Sequence, residues 1–318
     1  MSLFYVTSNL PAQGKTALCS SMAHLSLDRG VNANIVKVVP HSSALNNTVA
    51  NYESVFPNDL ELFSAVPING ASKSLKDMKS SSGVILMEGD SSISTEDQEK
   101  LVSETDAEVI VISDYVNGIE CAEYAKGFGT KLKGVVINFL PRFAETDVRE
   151  RLVPEFESLG VTVIGVIPED RCLLSVSVAQ IAECLGGRFF SGENLPDALV
   201  QNFMVGGFGM DPGQYVFSTK ADKAVVIRGD RPDVQMSALQ TDVTCFIMTN
   251  GIEPIEYVTY ESQEEEVPIL VVEQDTLQTM EDVGNLQGNV SFDHPEKLVR
   301  MSYLISSSVG LELLTGGL

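Results

Sequence analysis

A Gly-Lys-Thr triplet at residues 14–16 has the residue types that bind a phosphate group. It ends the stretch SNLPAQGKT, which follows an apolar run at residues 3–6 and precedes a segment whose apolar residues recur at helical spacing. Strand, short loop, Gly-Lys-Thr and helix is the order of a phosphate-binding loop, whose backbone N–H groups point at phosphate oxygens. Lys15 is expected to reach the terminal phosphates, and the Thr16 hydroxyl is expected to hold Mg²⁺.

The loop departs from the usual spacing at its first glycine. The standard pattern has glycine at position 9, where this chain has Asn9. Asparagine adopts left-handed backbone more readily than most residues, so the turn is expected to survive. Asn9, Gln13 and Ala17 then join Gly14 and the two residues after it as nucleotide contacts. The alternative is a loop whose lysine is only a surface charge.

Three polar residues stand at the ends of later strands, where side chains face the ligand in this kind of sheet. Lys37 ends the second strand and is, with Lys15, a candidate catalytic lysine. Glu88 ends the third strand, where a carboxylate can hold Mg²⁺, and Asn138 ends the fifth, where an amide can contact a base. The structural alternatives are a solvated lysine, a turn carboxylate and a turn amide.

The elements that must position these residues alternate between apolar runs and helical patterns. Runs rich in Val and Ile predict strands at residues 3–6, 34–39, 83–87, 108–113, 134–138 and 161–167. They barely alternate in polarity, as is typical of strands buried on both faces, and helices between them imply right-handed crossovers. The predicted fold class is α/β: a P-loop NTPase-type, mostly parallel sheet with helices on both faces, plus a smaller second α/β domain.

Glycine, asparagine and proline at residues 186–196 predict a domain boundary, with domains at 1–190 and 197–318. In the second domain, apolar runs at 224–227, 245–248 and 268–272 each lead into a polar or glycine-bearing loop. If these strands are neighbours, their loops line one ligand crevice; the alternative is ordinary turn chemistry. The candidate crevice residues are Gly229, Asp230, Arg231, Asp233, Thr249, Asn250, Gly251, Asp275 and Thr276.

Composition excludes several functions. The net charge of −23 repels nucleic acid and anionic membranes, so neither is expected as a partner. No apolar stretch is long enough to cross a bilayer, and the N-terminus does not resemble a signal peptide. The five cysteines and three histidines are scattered without metal-ligand spacing. We therefore expect a cytoplasmic protein with reduced thiols and neither a zinc site nor a Ser-His-Asp triad.

An ordered series of motifs carries a resemblance to known families. VTSNLPAQGKT, IVKVVP, GVILMEGD, GVVINFLPR and IGVIPEDR together resemble the dethiobiotin synthetase-like P-loop domain, in the form found at the N-terminus of long bacterial phosphate acetyltransferases. The cobyrinic acid a,c-diamide synthase ATPase domain is a more distant relative. GDRPDVQMSAL, MTNGIEP and VPILVVEQDT resemble a DRTGG domain, which follows the same P-loop domain in those acetyltransferases.

The resemblance implies ATP and Mg²⁺ as cofactors. It implies that Lys37 contacts substrate or phosphate, that Glu88 is the acidic metal ligand, and that Asn138 contacts adenine beside a loop containing Pro168 and Glu169. It also implies a homo-oligomer with the site near the interface. If the protein is regulatory, we expect the DRTGG domain to bind a second small-molecule ligand or a partner.

The chain departs from these families at several positions. Ser8 replaces a glycine, Ala12 replaces a glutamate, and Asn250 replaces the first glycine of the DRTGG motif. The segment HSSALNNTVANYES has no acidic residue before Glu53, so the second metal carboxylate is missing. These losses weaken the expectation of hydrolysis.

Three functions remain open on the sequence. The first is a nucleotide-binding protein with a regulatory or ligand-sensing role. The second is an ATP-dependent ligase that activates a carboxylate, as dethiobiotin synthetase does. The third is an assembly scaffold with a vestigial loop. No acetyltransferase domain and no glutaminase domain are expected in this chain, because neither a further catalytic domain after Leu318 nor a nucleophile elbow is present.

Overall fold

The chain forms two compact units, and the second is inserted into the sequence of the first. The computed structural model describes residues 2–43, 50–57, 62–78, 83–207 and 210–308. Unit 1 comprises Met1–Leu173 and Phe292–Leu318, and unit 2 comprises Leu174–Ser291. The prediction that a second metal carboxylate is missing rests partly on residues 44–49, which lie outside the described residues, as does Leu318.

Unit 1 is built on a seven-stranded parallel sheet. The strand order is β3-β2-β4-β1-β5-β6-β7, so the first strand lies at the centre. The strands are β1 (Ser2–Thr7), β2 (Ala33–Val39), β3 (Phe63–Pro67), β4 (Val84–Gly89), β5 (Glu108–Asp114), β6 (Leu132–Leu140) and β7 (Val163–Pro168).

Helices cover both faces of this sheet. They are α1 (Lys15–Asp28), α2 (Ala50–Val55), α3 (Ile68–Met78), α4 (Thr95–Thr105), α5 (Gly118–Lys126), α6 (Glu145–Asp147), α7 (Val153–Ser158) and, after unit 2, α13 (Pro295–Ser308). One core cluster joins the sheet to α1 and α13, and the other joins it to α3, α4, α5 and α7.

The central strand shows why the apolar runs do not alternate. Phe4 and Val6 belong to the core on the α1 side, whereas Leu3 and Tyr5 belong to the core on the opposite side. All four side chains are buried, because each face of the strand packs against helices. The apolar run is therefore a consequence of the two-sided burial of the sheet.

Unit 2 contains a five-stranded sheet of order β11-β12-β13-β14-β9, parallel except for its last strand. Its strands are β8 (Val176–Ser177), β9 (Arg188–Ser191), β10 (Leu199–Val200), β11 (Asn202–Val205), β12 (Lys223–Arg228), β13 (Val243–Thr249) and β14 (Ile269–Val271); β8 and β10 form a separate antiparallel pair. Its helices are α8 (Val178–Leu185), α9 (Met210–Phe217), α10 (Pro232–Leu239), α11 (Glu256–Glu264) and α12 (Thr276–Gly288).

The predicted α/β fold class is confirmed, but the units divide differently from the predicted domains 1–190 and 197–318. The stretch at 186–196 is not a linker: it contains β9, an edge strand of the second sheet. Its glycines serve turns, since Gly186 ends α8 in left-handed backbone and Gly192 also has positive φ. Helix α13 returns to unit 1, where Met301, Leu304 and Ile305 join the core beside α1.

Within the described ranges, no helix is both long and apolar enough to span a membrane.

Candidate nucleotide-binding site

The predicted phosphate loop connects the central strand of unit 1 to its first helix. Strand β1 lies between β4 and β5, and α1 begins at Lys15 directly after the loop. The helix N-cap is Gly14, which has left-handed backbone (φ 97°) and no side chain with which to cap the first turn. The N–H groups and the positive end of the helix dipole therefore meet at the carboxyl edge of the sheet, as anion binding requires.

The left-handed positions of the loop are not where the sequence predicted them. Ala12 (φ 56°) and Gly14 have positive φ, whereas Asn9 does not. A non-glycine residue in this region is strained, and such strain concentrates at binding sites. Gly14 could not be any other residue without rearrangement, because a Cβ there would lie 2.4 Å from Asn138 Nδ2.

The Lys15 side chain lies inside the predicted phosphate loop. Its side chain is buried, and Nζ donates to Ser8 Oγ at 2.6 Å. Ser8 in turn donates to the Leu10 carbonyl at 2.6 Å, so the serine that replaces the family glycine closes the loop around the ammonium group. Burial lowers the pKa of Lys15, and the nearby Glu88 carboxylate opposes that shift.

Glu88 is the buried acidic centre of the site. The sheet register pairs it with Val6 on β1 and with Lys37 on β2, which fixes its place beside the loop. Its Oε1 accepts from the Thr16 hydroxyl at 3.0 Å and forms an ion pair with the Lys37 ammonium group. Its Oε2 accepts from the phenol of Tyr52. Both carboxylate oxygens therefore have protein partners.

Asn138 supports the loop. The sequence suggested that it contacts a base, but its Nδ2 donates to the Gln13 carbonyl at 3.0 Å. The Gln13 side chain also binds Asp114 at the end of β5. Its Oε1 accepts from the backbone N–H of Asp114, and its Nε2 lies 3.3 Å from an Asp114 carboxylate oxygen. These bonds give Asn138 and Gln13 a role in holding the shape of the loop.

The two predicted adenine-side residues differ in their surroundings. Pro168 lines a cavity of about 660 Å³, a volume within the range of small-molecule sites. Glu169 is exposed, and its backbone N–H donates to the Leu140 carbonyl at 2.8 Å. The cavity is mostly apolar, and its lining is Leu140, Pro141, Arg142, Glu145, Val148, Arg149, Val153, Val166, Pro168 and Ser308.

The predicted Mg²⁺ ligands are brought together, but the site around them does not fit the ion. Thr16 and Glu88 are adjacent, yet the Lys37 ammonium group already lies against the same carboxylate oxygen. The nearby Asp90 carboxylate closes a turn by accepting from the backbone and hydroxyl of Ser92. Among the residues that the structure describes, no group of three or more His, Cys, Asp and Glu side chains could hold a metal ion.

In unit 2, the predicted crevice loops do follow neighbouring strands. β12, β13 and β14 are adjacent and parallel, so the loops after them share one edge. The Thr249 and Thr276 hydroxyls are 3.3 Å apart, and Asp275 accepts from the Gln278 N–H at the start of α12. A Cβ on Gly229 would lie 1.9 Å from the Ile252 carbonyl, so the first two loops meet backbone to backbone.

The charged residues of these loops pair locally. Arg228 forms a two-pronged ion pair with Asp230, and Arg231 forms one with Asp233. Asn250, which replaces the first glycine of the DRTGG motif, has left-handed backbone (φ 62°), and its Nδ2 lies 3.2 Å from the Thr249 hydroxyl. Asparagine thus preserves the turn that the glycine provides, consistent with its tolerance of this conformation.

Sequence reasoning missed two residues of the unit 1 site. By sequence, Ser8 is only a departure from the family pattern, although it precedes Lys15 by seven residues and so lies across the loop from it. Tyr52 lies on α2, 36 residues before Glu88, and carries no motif. For Ser8 the loop spacing was a usable signal; for Tyr52 the sequence offered none.

Comparisons with known proteins agree with part of the predicted resemblance. Residues 180–286 match the DRTGG domain family. The chain is 24% identical over 145 residues to the phosphate acetyltransferase of Nitratidesulfovibrio vulgaris (strain Hildenborough). That match covers 42% of this chain but only 20% of the acetyltransferase, so the chain spans about a fifth of the length of this relative.

Solved structures show weaker similarity. A chain of the MinC:MinD cell division protein complex of Aquifex aeolicus has a TM-score of 0.42 at 16% identity. The match covers 55% of this chain and 84% of the matched chain. The CBS and DRTGG domains of the Clostridium perfringens pyrophosphatase regulatory region have a TM-score of 0.32 at 12% identity, covering 46% of this chain and 71% of their own. The sequence matches, and not these likenesses, identify residues 180–286 as a DRTGG domain in a chain homologous over part of its length to bacterial phosphate acetyltransferase.

Proposed function

We propose that unit 1 binds the phosphates of a nucleotide, with ATP as the first candidate, and that the protein uses this binding for regulation. The observation that carries the proposal is the loop at residues 8–16. Its Gly14 is the left-handed N-cap of α1, and its Lys15 is buried at that helix terminus.

The electrostatics of the loop support binding of an anion despite the acidic protein. The first turn of α1 has no acidic residue, and its N-terminus carries the positive end of the helix dipole. Lys15 and Lys37 lie close enough to influence each other, and the Glu88 and Asp90 carboxylates also act on Lys15. A polyphosphate would reduce the repulsion between the two ammonium groups by forming charge-assisted hydrogen bonds with both, which are stronger than their hydrogen bonds to water.

The regulatory part of the proposal rests on the DRTGG domain and on the polar side chains of the unit 1 site, which already bind one another. A nucleotide bound in unit 1 would change the affinity of unit 2 for a small ligand at its loops, and the reverse. A typical coupling free energy between two such sites is about 1–3 kcal/mol. We also expect the nucleotide-bound protein to form a homo-oligomer, which the molar mass by light scattering with and without ATP would test.

The ligase alternative has less support. It needs Lys37 free to stabilise a transferring phosphoryl group and a carboxylate free for Mg²⁺. In the structure Lys37 and Glu88 bind each other, and Tyr52 takes the second carboxylate oxygen. The arrangement favours holding a nucleotide over turning it over.

Calorimetric titration with ATP, ADP and GTP tests the proposal. Lys15→Met keeps the length of the side chain and removes the ammonium group, and Lys126→Met, at an exposed lysine on α5, is the matched control. We expect micromolar binding by the wild type and by Lys126→Met, and its loss in Lys15→Met. Absence of heat with every nucleotide, or equal binding by both variants, would contradict the proposal.

A further inference from the structure

The Lys37 ammonium group stands where a phosphate loop usually has its divalent cation. It contacts the same Glu88 oxygen that accepts from the Thr16 hydroxyl, so lysine, threonine and glutamate converge on one point. A divalent ion bridging the threonine and the acidic residue would have to occupy this point. In this chain a side chain that cannot diffuse away provides the positive charge.

The neighbours of Glu88 hold this arrangement in place. Tyr52 donates to the second carboxylate oxygen, and its ring stacks on Phe63 with centroids 4.9 Å apart. Tyr52 and Glu88 are both buried, so the carboxylate cannot rotate toward a metal without breaking a buried hydrogen bond. Leaving a buried donor or acceptor unsatisfied is unfavourable, which opposes displacement of Lys37 by an ion.

Among the residues that the structure describes, two further positions near the loop could have supplied an acidic ligand. Ala12 stands in the loop where dethiobiotin synthetase-like loops have glutamate, and Asp90 Oδ1 already accepts from the backbone and hydroxyl of Ser92. Mg²⁺ bound with a nucleotide usually takes one or two carboxylates together with phosphate oxygens and water. Here the buried carboxylate beside the loop, that of Glu88, is already paired with Lys37.

We propose that Lys37 acts as the built-in cation of the site, so that unit 1 binds its nucleotide free of metal. The inference rests on the proposed nucleotide binding and specifies the form of the ligand: an uncomplexed nucleoside di- or triphosphate, whose terminal phosphate meets Lys37 directly. The inference also predicts weak or absent hydrolysis, because the metal that would neutralise charge on the leaving group has no place.

Calorimetry of the wild type with ADP, in EDTA and then in excess Mg²⁺, tests this without any substitution. We expect ADP to bind in EDTA at least as tightly as in Mg²⁺, since complexation removes the free nucleotide. Binding that requires Mg²⁺ would overturn the inference and leave the proposed function standing. Absence of binding in both buffers would overturn both.

Lys37→Met tests the role of the residue itself. We expect its affinity for ADP in EDTA to fall by about tenfold or more, the effect of losing a hydrogen bond to a charged group. Lys133→Met is the matched control, because Lys133 is also half-buried and paired with a carboxylate, that of Glu108, at 2.9 Å. Equal affinity in the two variants, with thermal melting showing both folded, would contradict the proposal.

Manganese provides a readout that does not depend on affinity for nucleotide. The electron paramagnetic resonance signal of free Mn²⁺ is followed as the ion is added to ADP alone and to ADP with wild-type protein. We expect the protein to take up no Mn²⁺ beyond what ADP binds. Additional uptake by the wild type that is absent from Glu88→Gln would show that the carboxylate holds the metal, against the proposal.

Discussion

Gly14→Ala probes how closely the phosphate loop is fitted to β6. The new Cβ would lie 2.4 Å from Asn138 Nδ2, below the 3.0 Å that real contacts respect, and would take a left-handed backbone at φ 97°. The backbone conformation alone costs about 1–2 kcal/mol for a residue with a Cβ. The contact adds a second penalty, because the amide must retreat.

The size of that second penalty follows from the geometry. Nδ2 must move by about 0.6 Å, which would stretch its 3.0 Å bond to the Gln13 carbonyl beyond hydrogen-bonding distance. The bond is worth about 1 kcal/mol, so Gly14→Ala should destabilise unit 1 by about 2–3 kcal/mol. Gly30→Ala is the matched control: its φ is also positive (74°), but its Cβ would meet nothing within 4 Å. It should show the conformational cost alone.

A double-mutant cycle separates the two penalties. Asn138→Ala removes the obstructing amide, and the next side chain, that of Ile112, is 3.6 Å from the new Cβ. Gly14→Ala should therefore cost about 1 kcal/mol less in the Asn138→Ala background than in the wild type. Because two units need not unfold together, hydrogen exchange of peptides from β1 and α1 is the suitable assay. Strict additivity of the two substitutions would refute the proposed contact.

Three further expectations concern buried polar groups and the second unit. Burial lowers the pKa of Lys15, so protonation of this residue favours the unfolded chain. The stability of the wild type should therefore rise as the pH increases from the folded-state pKa toward 10.5. Lys15→Met should lack this rise and yet be no less stable at about pH 7, which denaturation at several pH values would show. Tyr52→Phe keeps the ring but removes the donor to the buried carboxylate, and should cost about 1.5–3 kcal/mol, whereas Tyr257→Phe at an exposed position on α11 should have little effect; thermal melting compares them. Gly229→Ala forces a Cβ against backbone and should destabilise unit 2 by about 3 kcal/mol or more, while Gly284→Ala, in α12 with open space around it, should stabilise it by up to about 1 kcal/mol in the same hydrogen-exchange assay.

The α/β class was predictable because its signal is local. Each apolar run is a strand buried on two faces, and the polar residue that ends it falls at the carboxyl edge whatever the strand order. Lys15, Lys37 and Glu88 could therefore be placed near one another from their positions in the sequence. Strand β3 was not predicted, because it is a half-buried edge strand that contains serine and ends in Pro67.

The partners of these residues were not predictable, because each contact depends on how distant segments pack. The pairing of Lys37 with Glu88 requires that β2 lie beside β4, which follows from the strand order and not from spacing along the chain. The Tyr52 contact requires α2 to sit over that pair. The assignment of α13 to unit 1 was not predictable for a similar reason, because only packing shows which unit its apolar residues complete.

The inserted arrangement of the chain has a consequence for how the protein is made. Helix α13 packs on α1, and its Met301 and Ile305 share a core cluster with Leu18. On the ribosome, the phosphate loop emerges first, but the apolar side of its helix stays uncovered until residues 295–308 have been synthesised. All of unit 2 is translated in the interval and, with its own sheet and core, can fold before unit 1 is complete. A fragment truncated at residue 190 would expose that surface permanently, and we expect it to aggregate.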